Sequence, residues 1–248
     1  MTAVERDRPA ASRQAPAAAS RRLVWDWPVR IFHWSLVVSI LGAFATNRLG
    51  VKYFAYHAFF GYAVITLVVF RVWWGFLGPR HARFANFVKG PKAVLRYMHA
   101  TGRGWKTRHA GHNPLGALMV VLLLALLGAQ AAFGLFANDE IFNAGPLAGL
   151  VSKSVSLNLT SLHRKLFYLI AGAAILHIGA VLAHWRLKGD NLVSAMITGK
   201  KPAHLVEAHE EIRSSRGVLA VTLFIAISLV LATLLHFAPV ADFDTAGL

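Results

Sequence analysis

The chain contains no cysteine. That absence excludes disulfides, thiolate-held iron–sulfur clusters, a cysteine nucleophile and covalent haem attachment through a C-x-x-C-H sequence. Any bound metal must take histidine, methionine or oxygen ligands, and twelve histidines make nitrogen the natural donor. Carboxylates are scarce too: 11 Asp and Glu stand against 26 Lys and Arg, and none of the 11 lies in the long apolar stretches. The intramembrane acids expected of a transporter are therefore missing. There is no Gly-rich phosphate loop, nucleophile elbow, paired-carboxylate constellation or convincing internal repeat. No apolar run before a small-residue cleavage site marks a removable signal peptide.

What the sequence has in abundance is hydrocarbon. Of 248 residues 56% are hydrophobic and 15% charged, and the mean hydropathy is +0.51, outside the range of an ordinary soluble domain. The expected fold is all-α, an integral membrane up-and-down helix bundle. Five apolar stretches, 29–46, 55–77, 114–137, 162–185 and 217–237, each approach the ~20 residues that a spanning helix needs. Trp25, Trp27, Trp73, Trp74 and Trp185 stand at their ends, as interfacial aromatics do. Residues 1–22, rich in Ala, Arg, Pro and Ser, read as a disordered cytoplasmic tail. Residues 23–200 read as the membrane core, and 201–248 as a cytoplasmic linker, a fifth span and a short outer tail. Residues 145–160 read as an external loop of low charge with a short amphipathic helix.

The net charge of +15 does not signify nucleic acid, whose readers gather their basic residues on one solvated face. Here the bases fall in alternate loops. Arg6, Arg8, Arg13, Arg21, Arg22 and Arg30 precede or open the first span. Arg80, Arg83, Lys89, Lys92, Arg96, Arg103, Lys106 and Arg108 lie between the second and third spans without a single acid. The next loop carries Asp139 and Glu140 against Lys153, and the C-terminal tail carries Asp242 and Asp244. The positive-inside rule then puts the N-terminus in the cytoplasm and the C-terminus outside the cell (inner) membrane. The basic excess reads as insertion signals plus attraction to anionic membrane lipid.

His163 and His177 share the fourth span, fourteen residues apart. On one helix that spacing is about 21 Å and brings the second ring back to within about 40° of the first. The two rings thus face one way near opposite sides of a hydrocarbon layer about 30 Å thick. His33 lies near the cytoplasmic start of the first span and His57 near the outer start of the second, so depth pairs His33 with His177 and His57 with His163. A lone intramembrane imidazole can be satisfied by an interhelical hydrogen bond. Four matched in two pairs give the geometry for two haems stacked across a membrane, and levels about 20 Å apart exclude a single four-ligand ion. With both axial positions filled, such a centre suits electron transfer rather than oxygen chemistry. Each ring's second N–H is expected to bond a carbonyl one turn back or a small hydroxyl. Gly61, one turn after His57, offers room for a macrocycle edge. Arg30 and Arg71 are placed for propionates of the inner haem, and Arg48, Lys52 and Arg164 for those of the outer one; for Arg71 the competing reading is snorkelling to the inner interface. His184, two turns beyond His177, reads as an interfacial residue or as a partner for a quinone carbonyl. His81, His99, His109, His112, His204 and His209 fall in or beside cytoplasmic loops, and His236 reads as interfacial.

The run Val-Trp-Asp-Trp-Pro-Val-Arg-Ile-Phe-His33-Trp resembles the first-helix signature of the prokaryotic cytochrome b561 family, which includes b-type cytochrome subunits of membrane nickel–iron hydrogenases. So do His57-Ala-Phe-Phe-Gly61-Tyr, Phe-Arg71-Val-Trp-Trp-Gly-Phe-Leu-Gly-Pro with Ala82-Arg83-Phe84, and Gly111-His-Asn-Pro-Leu-Gly; the similarity covers roughly residues 23–200. It implies a four-helix core holding two b haems through His33, His57, His163 and His177. It also implies electron exchange between a quinone (ubiquinone or menaquinone), usually near the cytoplasmic haem, and an outer redox protein such as a c-type cytochrome or a hydrogenase. One branch of the family oxidises superoxide and reduces ubiquinone, and there a histidine seven residues after the last haem ligand is associated with quinone; His184 matches that spacing. The fifth C-terminal transmembrane helix departs from the minimal four-helix members and resembles hydrogenase-type subunits. The expected function is a transmembrane electron relay; the alternatives are a superoxide oxidase that reduces quinone, and a haem-free transporter or assembly subunit.

Overall fold

A computed structural model describes residues 20–102 and 109–239. Helix α1 (Trp27–Arg48) starts where Asp26 can cap it: the Oδ1 atom accepts from Val29 N at 2.9 Å, and Pro28 follows in the first turn. Gly50, at φ 100°, turns the chain back into α2 (Phe54–Leu77). Two short helices, α3 (Phe84–Phe87) and α4 (Pro91–Gly102), lead to α5 (Pro114–Leu135), capped by Asn113 through Gly116 N at 2.8 Å. Helix α6 (Lys153–Lys188) begins under a Ser152 cap and stops at Gly189 with φ 72°. Next come α7 (Leu192–Thr198) and α8 (Gly217–His236). Helices α1, α2, α5, α6 and α8 are long and apolar enough to cross a membrane.

The spans alternate in direction. Helix α1 packs along α2, α2 against α5, and α5 against α6, while α8 leans on α2 and the edge of α1. The first and last members of the four-helix set do not pack closely along each other. They meet through side chains, with Phe44 and Phe167 stacked at 5.4 Å between ring centroids. At one end of the bundle β1 (Arg21–Leu23) pairs antiparallel with β2 (Lys200–Pro202), and the Arg22 guanidinium donates to the Ala203 and Val206 carbonyls. This is the strand end; α1, α5 and α8 start there, and α2 and α6 finish there.

Three expectations need correction. Of the expected tail, residues 1–19 lie outside the described residues, but Arg21 and Arg22 belong to β1, ordered by pairing with a segment some 180 positions away. The fourth span starts at Lys153 rather than near residue 162. Its first turns are polar because they bind the preceding connection: Ser156 Oγ donates to Phe136 O at 2.6 Å, and Thr160 Oγ1 accepts from Asn138 N at 2.8 Å. Finally, Trp25 and Trp74 are 5% and 0% exposed instead of interfacial, whereas Trp73 and Trp185 do face outward. The Trp74 indole N–H donates to Asp26 Oδ1 at 3.1 Å and ties the end of α2 to the start of α1. Asp242 and Asp244 lie outside the described residues, as do Arg6, Arg8, Arg13, Arg103, Lys106 and Arg108.

Candidate functional site

Helix α6 buries few of its own residues, namely Ser156, Thr160 and Ile170. Across the gap from α1 and α2 it presents His163 and His177. The structure brings the histidines together as depth matching expects: His33 and His177 have ring centroids 6.5 Å apart near the strand end, and His57 and His163 lie 6.1 Å apart near the opposite end. Two metal–imidazole bonds of about 2 Å each, in line across a metal, set ring centroids about 6 Å apart. Among the described residues no cluster of three or more His, Asp or Glu side chains is gathered to hold a metal ion. Two donors do not complete the four-ligand shell of a structural zinc site. A group that brings its own equatorial donors needs only these two.

The two rings at the end opposite the strands are oriented by backbone. His57 Nδ1 donates to Ala43 O at 2.9 Å and His163 Nδ1 donates to Gln130 O at 2.8 Å, because a carbonyl can only accept. His57 Nε2 is then left with its lone pair for a ligand, whereas the lone pair of His163 Nε2 accepts from the Gln130 side-chain amide. These carbonyls belong to the neighbouring helices α1 and α5, not to the turn preceding each histidine, so the bonds fix helix against helix as well as tautomer. Gln130 Nε2 lies 3.3 Å from His163 Nε2. A Cβ at Gly134 would come within 3.1 Å of His163 Cε1, so glycine there lets the ring lie against α5. At Gly61, on the His57 face of α2, a Cβ would meet nothing within 4 Å.

Around the strand-end pair lie buried polar atoms with no protein partner among the described residues: His33 Nδ1, Arg30 Nε and Arg71 Nη1. Arg30 also donates from Nη1 to Ile197 O at 2.6 Å. Arg71 is 2% exposed, its guanidinium 5.1 Å from the Phe84 ring and 5.9 Å from the Phe87 ring. It does not snorkel; α3 closes over it. His112 stands between Trp25 and Phe87, at 4.7 and 4.6 Å between centroids. Burial, reinforced by Arg71, pushes its imidazole down to about 3, so it is neutral at physiological pH. Arg48 lies over Phe44 at 5.3 Å, and Lys52 and Arg164 are exposed at the opposite end.

His184 sits 3.6 Å from Asp190 Oδ2, which also accepts from Lys201 Nζ at 2.7 Å. Burial raises the Asp190 carboxyl, but His184 and Lys201 outweigh it and hold it below the usual carboxylate range. Asp26, His81, His112, Asp190 and Lys201 complete this end; the sequence placed His81 and His112 only in or beside loops and gave none of the five a role at the site. Asp26 had a local signal, an Asp directly before a Trp-Pro helix start, and Asp26 and His112 both lie in the stretches that carry the family resemblance.

Comparison with known proteins gives the same direction. The family described as "Prokaryotic cytochrome b561" matches residues 24–199. The chain is 27% identical over 215 residues to the "Probable Ni/Fe-hydrogenase B-type cytochrome subunit" of Rhodobacter capsulatus, covering 72% of this chain and 80% of that protein. No solved structure matches it. The paired imidazoles, the free Arg71 N–H and the open face at Gly61 fit the haem b that such cytochromes bind. The chain thus belongs to the prokaryotic cytochrome b561 family and is a multi-pass, b-type cytochrome of membrane electron transport.

Proposed function

We propose that the chain carries two b haems, one between His33 and His177 and one between His57 and His163, and passes electrons between a quinone at the strand end and a redox protein at the opposite end. The observation that carries this reading is the pair of two-donor histidine sites at two levels of α6, each at the separation that an axially held metal requires. His33 with His177 and His57 with His163 would hold the haems, which would supply one-electron exchange rather than oxygen chemistry.

The chain's own residues do the rest. The Ala43 and Gln130 carbonyls hold the outer imidazoles in one tautomer and orientation. Arg30 and Arg71 offer buried N–H groups to carboxylates at the strand end. His184, fixed by Asp190 and Lys201, is a hydrogen-bonding group for a quinone carbonyl, ubiquinone or menaquinone. Basic residues at the strand end support its placement in the cytoplasm, with α8 ending outside. The relative's name supports a nickel–iron hydrogenase as the outer partner, with a c-type cytochrome as the other candidate of the same kind.

The test is a reduced-minus-oxidised spectrum of the purified chain with haem counted per polypeptide. Two haems are expected, and one in His163→Ala. A colourless wild type would overturn the reading, and two haems at full stoichiometry in His163→Ala would overturn the pairing.

A further inference from the structure

Helix α4 is twelve residues long, about 18 Å, too short to span a bilayer. It connects the strand-end terminus of α2 to that of α5, so it lies at the level where the spans leave the hydrocarbon. Its side chains divide into three faces at 100° per residue. Ala93, Val94 and Tyr97 turn towards the protein, with Tyr97 8% exposed and its hydroxyl accepting from Lys188 Nζ at 3.0 Å at the end of α6. That bond fixes the roll of the helix. On a second face Leu95 and Met98 are 55% and 50% exposed. On the third, Lys92, Arg96 and His99 are exposed within about 60° of one another.

We infer that α4 is an interfacial helix that binds anionic phospholipid, with Leu95 and Met98 entering the acyl layer and Lys89, Lys92 and Arg96 holding the phosphate-bearing headgroups. Charge decides the lipid class. No Asp or Glu occurs between Asp26 and Asp139, and among the described residues Lys89, Lys92 and Arg96 form no ion pair. A zwitterionic headgroup would leave these cations without a net countercharge. A soluble acidic protein would meet the cations and leave Leu95 and Met98 in water. An anionic bilayer surface satisfies both faces at once. An apolar groove of about 610 Å³, lined by Val72, Phe84, Val88, Val121 and Leu124, reaches Val88, the residue before Lys89, and would give an acyl chain a place near that headgroup. This inference rests on the membrane placement of the spans and is independent of the haem ligands.

The cysteine-free sequence makes the test clean. Leu95→Cys, Met98→Cys and Arg96→Cys would each be spin-labelled in the full-length chain, reconstituted in nanodiscs of phosphatidylcholine with or without phosphatidylglycerol. Labels at 95 and 98 are expected to be accessible to oxygen and shielded from an aqueous nickel chelate, and the label at 96 to show the reverse. In the Lys89→Gln/Lys92→Gln/Arg96→Gln variant, phosphatidylglycerol retained by the purified protein should fall several-fold. Water-exposed labels at 95 and 98 in anionic discs, or labels shielded from both reagents by a protein partner, would overturn the inference. Unchanged phosphatidylglycerol retention in the triple variant would also overturn it. The single-label measurements stand even if the triple variant fails to fold. Lipid-exposed labels on a haem-free chain would overturn the haem reading alone.

Discussion

Asp26 joins two helices through one oxygen atom. Its Oδ1 caps α1 at Val29 N and accepts the Trp74 indole N–H from α2, while Arg71 lies close enough to lower its pKa. Burial pushes the carboxyl above its usual range, against the pull of those donors. Asp26→Ala removes a cap worth about 1 kcal/mol. It also leaves a buried indole N–H unpaired, at about 1–3 kcal/mol. An expected total of about 3 kcal/mol, read from denaturant or thermal unfolding in detergent, should shrink to about 1 kcal/mol in Asp26→Asn, which keeps an acceptor. A loss below about 0.5 kcal/mol in Asp26→Ala would show that the α1–α2 junction is held elsewhere. The four paired histidines were legible in the sequence because their signal is periodic and the membrane limits depth. Asp26 with Trp74, and Asp190 with Lys201, were not, because each contact joins segments whose meeting only the folded chain decides.

The segment between α2 and α5 shows the same boundary at the scale of elements. Its lack of acid and its apolar gap were readable; that it folds into α3 and α4 and closes over Arg71 was not, because those helices are short and take their order from packing. Three histidines of this cap, His81, His109 and His112, have pKa values lowered first by burial. His81 Nε2 bonds Glu210 O at 2.7 Å, so the linker before α8 closes the same cap. A histidine held neutral in the fold binds fewer protons than the unfolded chain below the ordinary value of about 6.5. Stability is therefore full above that value and lost as pH falls, for His112 down towards about 3. The melting temperature in detergent should drop between pH 7.5 and 5.5, and His112→Gln should make that drop smaller. A melting temperature constant across that range would contradict the neutral, buried state. The start of α6 escaped the hydropathy pattern for a related reason: Ser156 and Thr160 are polar because they bind backbone, not because they are loop.

At the scale of the molecule, the five spans and their alternation followed from hydropathy and loop charge, while their neighbours did not. Helix α8 leans on α2, with Phe70 and Phe224 at 6.0 Å, on the side away from α6. A chain truncated after residue 212 should keep both haem signals in its reduced-minus-oxidised spectrum. Loss of either signal would make α8 part of the haem-holding core. The separation of α6 from α1 has a further consequence. The helix that supplies half of each histidine pair is fastened to the other spans mainly along α5. On the proposed reading, bound haem would add a second set of contacts to that helix and stabilise the fold by mass action. A chain denied the cofactor would then be cleared faster by membrane proteases.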